Sequence, residues 1–381
     1  MVYHARMDTQ QMIEKEWGCI LSLLPSDLDE SAAAKLALIR RREIKCASDL
    51  LRLALAYALC DFSLDQTAAW AALVGIGKLS SPAVFKRLRQ AETWLGYLVL
   101  QWLREHGLTA SLPPLNVRVL DATVVSGPGS KGTDWRVHLG LDLAHSRIST
   151  VELTGPEGGE TLLRHQIEPE QIALADRGYG HREGVASVLE QQGHVVVRIG
   201  CHNFPLETTS QQPVELPAWM ELLRVGEIGD WPVQFRACDR VWPVRLIALR
   251  KTQAAAEQEQ ARLRHEATRK GRQPDPDSLK AAHFVILITD LSALQLSAVD
   301  AMELYRLRWQ IEMCFKRLKG ILHLDHLRAQ TPTMARAYLY AKLLGALIVD
   351  ELCQRAVTLF PWGYPISPAG HQPMAADEAV A

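Results

Sequence analysis

Five short runs rich in apolar and β-branched residues follow one another in the middle of the chain: Val117–Leu120, Trp135–Leu143, Ser149–Leu153, Ile172–Ala175 and Val195–Ile199. Runs of this length, separated by Gly, Pro, Asp and Ser, read as strands. A helix candidate at Gly184–Gln192 falls between the fourth and the fifth, so the stretch alternates strand with helix in the α/β manner. The first strand candidate ends at Asp121 and the fourth at Asp176.

Upstream the texture is helical. From Ser31 to about Leu108, apolar residues recur at spacings of three and four, through Leu36, Ile39, Leu50, Leu51, Leu53, Leu55 and Leu59, with Arg40, Arg41, Arg42, Lys45 and Arg52 interleaved. Pro113-Pro114 separates the two textures. Within the helical part, Leu64–Val74 is an alanine-rich helix candidate and Gly75-Ile76-Gly77 a turn. Ser80-Ser81-Pro82 then caps a basic helix carrying Lys86, Arg87 and Arg89. Helix, glycine turn and basic helix fit a helix-turn-helix near 64–92, whose second helix would meet phosphates through Arg87 and Arg89. An αα-hairpin with a solvated basic face fits equally well.

Beyond Ile199, residues from about Cys201 to Leu249 form a second strand-rich patch, with Trp231–Arg236 and Val241–Leu249 as a hairpin or meander. Lys251–His283 is rich in Ala, Gln, Glu and Arg and reads as an exposed helix or a mobile loop, with the character of an insertion. An apolar strand at Phe284–Ile288, a long helix from about Ser297 to Lys319 and a helix pair over Thr333–Arg355 follow. The Pro-, Gly- and Ala-rich tail is expected to be disordered. The expected organisation is a helical unit at 1–112, an α/β core at 113–200 resumed at 284–360, a β-rich insertion at 201–283 and a tail at 361–381.

With 42 Lys plus Arg against 43 Asp plus Glu the net charge is −1. If a polyanion is bound, basic groups must therefore be clustered and not merely abundant. No apolar run reaches the roughly 20 residues needed to span a bilayer, and the N-terminus lacks the pattern of an export signal. Seven scattered cysteines without a C-x-x-C pair argue against a disulfide framework. A cytoplasmic, reduced protein that does not enter membranes is expected.

Asp121 and Asp176 can converge at one sheet edge if their strands pair. A carboxylate behind an apolar strand costs solvation unless something positive meets it, and magnesium, which favours hard oxygen ligands completed by water and phosphate, is a candidate. Each Asp could equally cap a turn. A third element lies in the long helix, where Tyr305 and Arg308 are three apart, Arg308 and Glu312 four, and Lys319 seven beyond Glu312. On one continuous helix all four share a face.

These four residues fill the Y-x-x-R-x-x-x-E-x-x-x-x-x-x-K signature, and the chain resembles the IS4-type DDE transposases. Asp121 with Thr123, Gly159-Glu160 and Asp176-Arg177-Gly178-Tyr179 are similar to the same family, and the resemblance covers most of the chain. It implies an α/β fold with an RNase H-like catalytic core, interrupted by a β-rich insertion and preceded by an all-α DNA-binding domain. It also implies that Asp121, Asp176 and Glu312 are the catalytic metal ligands for two Mg2+ ions, with Mn2+ able to substitute. One ion would activate water or a DNA 3′-hydroxyl, and the other would stabilise the leaving oxygen. Tyr305, Arg308 and Lys319 would contact phosphates near the cleaved end. The partners implied are terminal inverted repeats, target DNA and a second copy of the chain in the synaptic complex.

Glu160 competes with Glu312 for the third acid, and Asp142 is a lesser candidate. Phe284 could stack a base but reads first as a strand-core residue, as do Trp231 and Trp242. His323 and His326 suggest no third metal ligand and read as structural. The loop Gly127–Gly132 lacks P-loop spacing. Two rival functions remain: an inactive protein that only occupies transposon ends, and a nuclease on the same core that cuts without joining.

Overall fold

The computed structural model describes residues 9–106, 116–130 and 132–359. The Pro113-Pro114 break and the tail from residue 361 lie outside these described residues. Six helices come first: α1 Thr9–Leu21, α2 Leu28–Ala34, α3 Ala47–Leu59, α4 Leu64–Leu73, α5 Ser81–Gln90 and α6 Glu92–His106. A capping box starts α4, with the Gln66 N–H donating to Ser63 Oγ at 3.1 Å and the Ser63 N–H to Gln66 Oε1 at 2.8 Å. It ends in a Schellman turn at Gly75, φ +79°, where the Ile76 N–H returns to the Ala71 carbonyl at 3.0 Å. Pro82 stands in the first turn of α5, where its missing N–H costs nothing. Val84 and Leu88 are buried on one side of α5, while Lys86 and Arg89 are exposed.

A single nine-stranded sheet follows, in the order β3-β2-β1-β4-β5-β9-β8-β7-β6. Its strands are β1 Val117–Val125, β2 Trp135–Asp142, β3 Arg147–Thr154, β4 Ile172–Ala175, β5 His194–Arg198, β6 Glu207–Thr208, β7 Ile228–Ala237, β8 Arg240–Arg250 and β9 Phe284–Thr289. β1, β4 and β5 are parallel neighbours, and every other pairing is antiparallel. The remaining helices are α7 Arg182–Glu190, α8 Leu216–Glu221, α9 Gln253–Arg269, α10 Pro276–Ala281, α11 Ala298–Arg306, α12 Trp309–Gly320 and α13 Pro332–Leu359.

The central strands read as unbroken apolar runs because both sheet faces are covered. Val119, Leu174, Val196 and Leu287 belong to one buried cluster, together with side chains from α2–α6 and α11–α13. Their neighbours Leu120, Ala173, Ala175, Val195, Val197, Ile286 and Ile288 belong to the other, under α7 and the β6–β8 segment. The period of two along each strand sorts one run into two cores.

Three sequence expectations need correcting. Asp121 does not end its strand: β1 continues to Val125 on the antiparallel ladder with β2, and only the parallel ladder with β4 stops at Leu120. The long helix over Ser297–Lys319 is two helices, α11 and α12, interrupted at Leu307 and Arg308. The pair over Thr333–Arg355 is one helix, α13, of 28 residues. Gly345 does not break it. A Cβ there would stand 2.8 Å from the Leu59 methyls, so this glycine lets α3 approach. The expected hairpin over Trp231–Leu249 is present as β7–β8, joined to β5 through β9, and of the two readings for Lys251–His283 the helical one holds, as α9 and α10. Among the described residues, no helix is long and apolar enough to cross a membrane, and all seven cysteines are free.

Leu344 lies on α13, wholly buried in the cluster shared by the N-terminal helices and the sheet. Leu344→Ala should cost about 2–5 kcal/mol in urea unfolding. Fluorescence and circular dichroism should show the same shifted midpoint. Separate midpoints would mean that the two parts unfold independently.

Candidate active site

The parallel ladder between β1 and β4 ends with Leu120 opposite Ala175, and the one between β4 and β5 with Ala175 opposite Val197. The residues one step further, Asp121, Asp176 and Arg198, therefore line the edge where the parallel ladders of β1, β4 and β5 stop, although β1 itself runs on to Val125 beside β2. Crevices at such strand ends are where open α/β sheets place ligands. Asp121 is 16% exposed at its side chain. Burial first, and the Asp176 carboxylate second, push its carboxyl up to about 7, against the pull of the Ala122 N–H at 2.7 Å and of Arg308. Asp176 Oδ1 accepts the Gly178 N–H at 2.8 Å, capping the short turn Arg177–Tyr179. The turn-capping role considered for these aspartates is thus real for one oxygen of Asp176.

Glu160 joins them. A Cβ on Gly178 would stand 2.2 Å from Glu160 Oε2, so the glycine leaves room for this carboxylate beside Asp176. Burial and then Asp176 raise the Glu160 pKa, while Arg136 opposes them. Tyr179 is fully buried nearby, its hydroxyl without a hydrogen-bond partner. Burial, with Asp121, Glu160 and Asp176 adding, holds that hydroxyl protonated. Asp142 lies elsewhere, accepting the His145 N–H at 2.9 Å.

The signature residues reach the site through the break between α11 and α12. Hydrogen bonding tightens there to three-residue steps: the Arg308 N–H to the Tyr305 carbonyl at 3.0 Å, Gln310 to Leu307 at 3.1 Å and Ile311 to Arg308 at 3.2 Å. Tyr305 thus closes α11, while Arg308 opens α12. From this corner Arg308 Nη1 stands 3.6 Å from Asp121 Oδ2, and Nη2 donates to Glu312 Oε1. Its guanidinium carbon lies 6.0 Å from the Tyr305 ring centre. Burial raises the Tyr305 pKa against the pull of Arg198, with which its hydroxyl shares a hydrogen bond. Glu312 is half exposed and tied to Asp121 through Arg308.

Lys319 is half-buried on α12, seven residues past Glu312, about two helical turns. Arg87 and Arg89 sit on α5, outside these contacts. Arg87 Nη2 donates to the Arg40 carbonyl at 2.6 Å, and Arg89 lies over the Phe85 ring. Phe284 is buried at the start of β9 under Arg250, as a strand-core residue. His323 and His326 stack at 5.3 Å. Arg198 and Arg136 are what sequence reasoning missed, while Glu160 is already a competitor of Glu312 in the sequence. The signal for Arg198 was present: like Asp121 and Asp176, it follows an apolar parallel strand.

The donor set fits a divalent cation. Asp121 and Asp176 offer hard oxygens side by side, with Glu160 adjacent and Glu312 one arginine away. Burial, with the Asp176 carboxylate adding, raises the Asp121 carboxyl, so its charged form is left without full compensation by the protein.

A family model for the Transposase DDE domain matches residues 112–348. The chain is 36% identical over 354 residues to the putative transposase InsL for insertion sequence element IS186A of Escherichia coli K12, covering 91% of this chain and 96% of that protein. It is 36% identical over 355 residues to the transposase for insertion sequence element IS421 of Escherichia coli, with the same coverage. The chain belongs to the DDE transposase family, and the resemblance read from its signature residues is borne out. Such a domain implies dependence on divalent metal ions.

Replacing Asp121 tests its uncompensated charge directly. Its folded carboxyl titrates near 7 against 3.8 when unperturbed, so the stability tied to it is present at low pH and lost as pH rises from about 4 to about 7. In chelator, Asp121→Asn should be more stable than the parent at pH 8 by about 2–4 kcal/mol. The gap should shrink toward pH 4 and on adding a divalent ion. A gap independent of pH, or a less stable variant at pH 8, would contradict the assignment.

Proposed function

We propose that this protein is the transposase of an insertion sequence, binding that element's terminal inverted repeats, cleaving DNA at its ends and joining the 3′-hydroxyls to target DNA. The observation that carries the reading is the meeting of Asp121 and Asp176 where the parallel ladder of β1 and β4 stops, with Arg308 linking Asp121 to Glu312. The strand order β3-β2-β1-β4-β5, with β1, β4 and β5 parallel and β2 antiparallel, supports an RNase H-like core extended by β9 and the insertion. Asp121, Asp176 and Glu312 are the proposed ligands for Mg2+, with Mn2+ as a substitute and Glu160 as the acid that packs against Asp176. Bound cations would supply activation of a nucleophilic oxygen and stabilisation of the leaving oxygen in an in-line phosphoryl transfer.

The chain's own residues set up that chemistry. Arg308 neutralises Asp121 and Glu312 until DNA arrives, and is then free to turn its fork to a phosphate. Tyr305 is held in place by Arg198 and presents its ring under Arg308. Lys319 extends the same helix face along the DNA backbone. Basic α5 carries Arg87 and Arg89 to phosphates of the terminal repeat, while clustered cations offset a net charge of −1. Two copies acting on two ends, in the cytoplasm where the DNA lies, complete the reading.

The decisive experiment is cleavage and joining of labelled DNA that carries the element's own ends, with Mg2+ or Mn2+. Joining in the parent should fall to background in Asp121→Asn, Asp176→Asn and Glu312→Gln while end binding is retained. Full activity in Glu312→Gln with loss in Glu160→Gln would transfer the third role to Glu160. Binding without chemistry in the parent would favour an inactive end-binding protein, and cutting without joining a nuclease.

End binding gives a further expectation. Arg87→Ala or Arg89→Ala should weaken it and lower the slope of log affinity against log salt by about 0.9 for each phosphate that is no longer neutralised. An unchanged slope would remove α5 from the DNA interface.

A further inference from the structure

Three residues past Arg198 the chain carries Cys201 and His202, which meet the N-terminus of α10 from the insertion. The Cys201 thiol, a His202 ring nitrogen and an Asp275 carboxylate oxygen lie within 4.8 Å of one another. His202 Nε2 is 3.0 Å from Asp275 Oδ2 and 4.0 Å from Asp277 Oδ2. The three groups also border a cavity of about 420 Å³ whose wall includes Arg272 and Ser278. Tetrahedral ligands at about 2.0–2.3 Å from an ion stand roughly 3.3–3.8 Å apart, so small side-chain rotations would bring these three onto one centre.

We propose that Cys201, His202 and Asp275 form a second metal site, for a zinc-class transition ion, with Asp277 or water as the fourth donor. The donor types decide the metal class. A thiolate and an imidazole favour zinc-like ions over Mg2+, whereas the acids at the strand ends are all hard oxygens. An ordinary surface ion pair would account for His202 with Asp275, but not for a cysteine thiol converging on the same point. Without metal, burial and then the nearby carboxylates Asp275 and Asp277 keep the thiol protonated, against a hydrogen bond with Ser278. On binding, the Cys–S–H bond gives its proton to solvent, a sulfur–metal bond forms, and no redox change is involved. His202 binds as the neutral ring. The ion would strap α10 to the end of β5, fixing the insertion three residues from the strand end that carries Arg198.

Cobalt(II) titration of the metal-free full-length protein tests this without recourse to activity. One equivalent should give a thiolate-to-cobalt charge-transfer band in the near ultraviolet and intense visible bands of a four-coordinate ion, all displaced by zinc. Cobalt at the all-oxygen acids gives no thiolate band, so the two sites are distinguishable. Cys201→Ser should abolish the band, and Cys238→Ser, at an exposed cysteine in the β7–β8 turn, should leave it intact. His202→Gln should weaken cobalt binding by at least about tenfold. Absence of the band in the parent, or its survival in Cys201→Ser, would overturn the proposal. Should Cys201→Ser fail to fold, unchanged cobalt affinity in His202→Gln would overturn it equally.

Discussion

Two carboxylates set side by side at the edge of the core, Asp121 mostly buried and Asp176 partly so, are the constraint around which the molecule is arranged. Strand register forces the contact: once Leu120 pairs with Ala175, the next residues on both strands must be neighbours. Burial first, and the repulsion between them second, push the Asp121 carboxyl up to about 7. A protein assembled for stability alone would replace one of them, because a buried charge without a matched partner is costly. Keeping both makes sense where a cation is to be received, and the surroundings are arranged to carry the repulsion meanwhile. Arg308 reaches Asp121, Arg136 faces Glu160, and backbone N–H groups hold one oxygen of each aspartate.

That arrangement needs a rigid platform, and the two cores supply it. The sheet is buried on both faces, with α13 running through the larger core against α3, α5 and α6. Buried Lys342 on α13 donates to the Leu322 carbonyl and, at 3.0 Å, to the His323 carbonyl, in the chain just after α12. The helix that presents Glu312 is thus pinned at its far end by a cation inside the core, and at its near end by Arg308. A buried lysine without such carbonyl partners would cost several kcal/mol; with them it fixes where α12 stops.

Much of this is legible in the residues, for identifiable reasons. Strands buried on both faces show as continuous apolar runs, so β1, β4, β5 and β9 could be located to within a few residues. The Gly75-Ile76-Gly77 turn and the Ser80-Ser81-Pro82 cap marked the end of α4 and the start of α5, because turn and capping residues are local signals. The signature spacing brought Tyr305, Arg308 and Glu312 forward together. What escaped was set by contacts distant in sequence. The break at Leu307–Arg308 has no Pro or Gly to announce it, and Gly345 looks like a breaker while serving a close approach of α3. Glu160 is a candidate from the sequence, but its place beside Asp176, in the space that Gly178 leaves, is set by the fold. The β7–β8 hairpin was readable as a hairpin, but its attachment to β5 through β9 depends on a pairing that no local pattern encodes.

The break between α11 and α12 also alters how the signature has to be understood. On one straight helix, Tyr305, Arg308, Glu312 and Lys319 would form a single stripe, each reaching DNA independently. With a tightened turn between Tyr305 and Arg308, the arginine instead stands at a corner, where it reaches an acid on β1 and an acid on α12 at once. A guanidinium offers several fixed donors, so it can hold both carboxylates or address a phosphate, but its fork cannot do all of these together. On the function proposed here, removing Arg308 from the acids without a cation to replace it would leave their repulsion uncompensated. Bringing a cation in without a phosphate would leave the arginine beside a second positive charge. Each half-step is opposed by electrostatics, and the combined step is not. On that proposal the corner would couple arrival of DNA to filling of the acidic crevice, a coupling that a continuous helix with the same four residues would not provide.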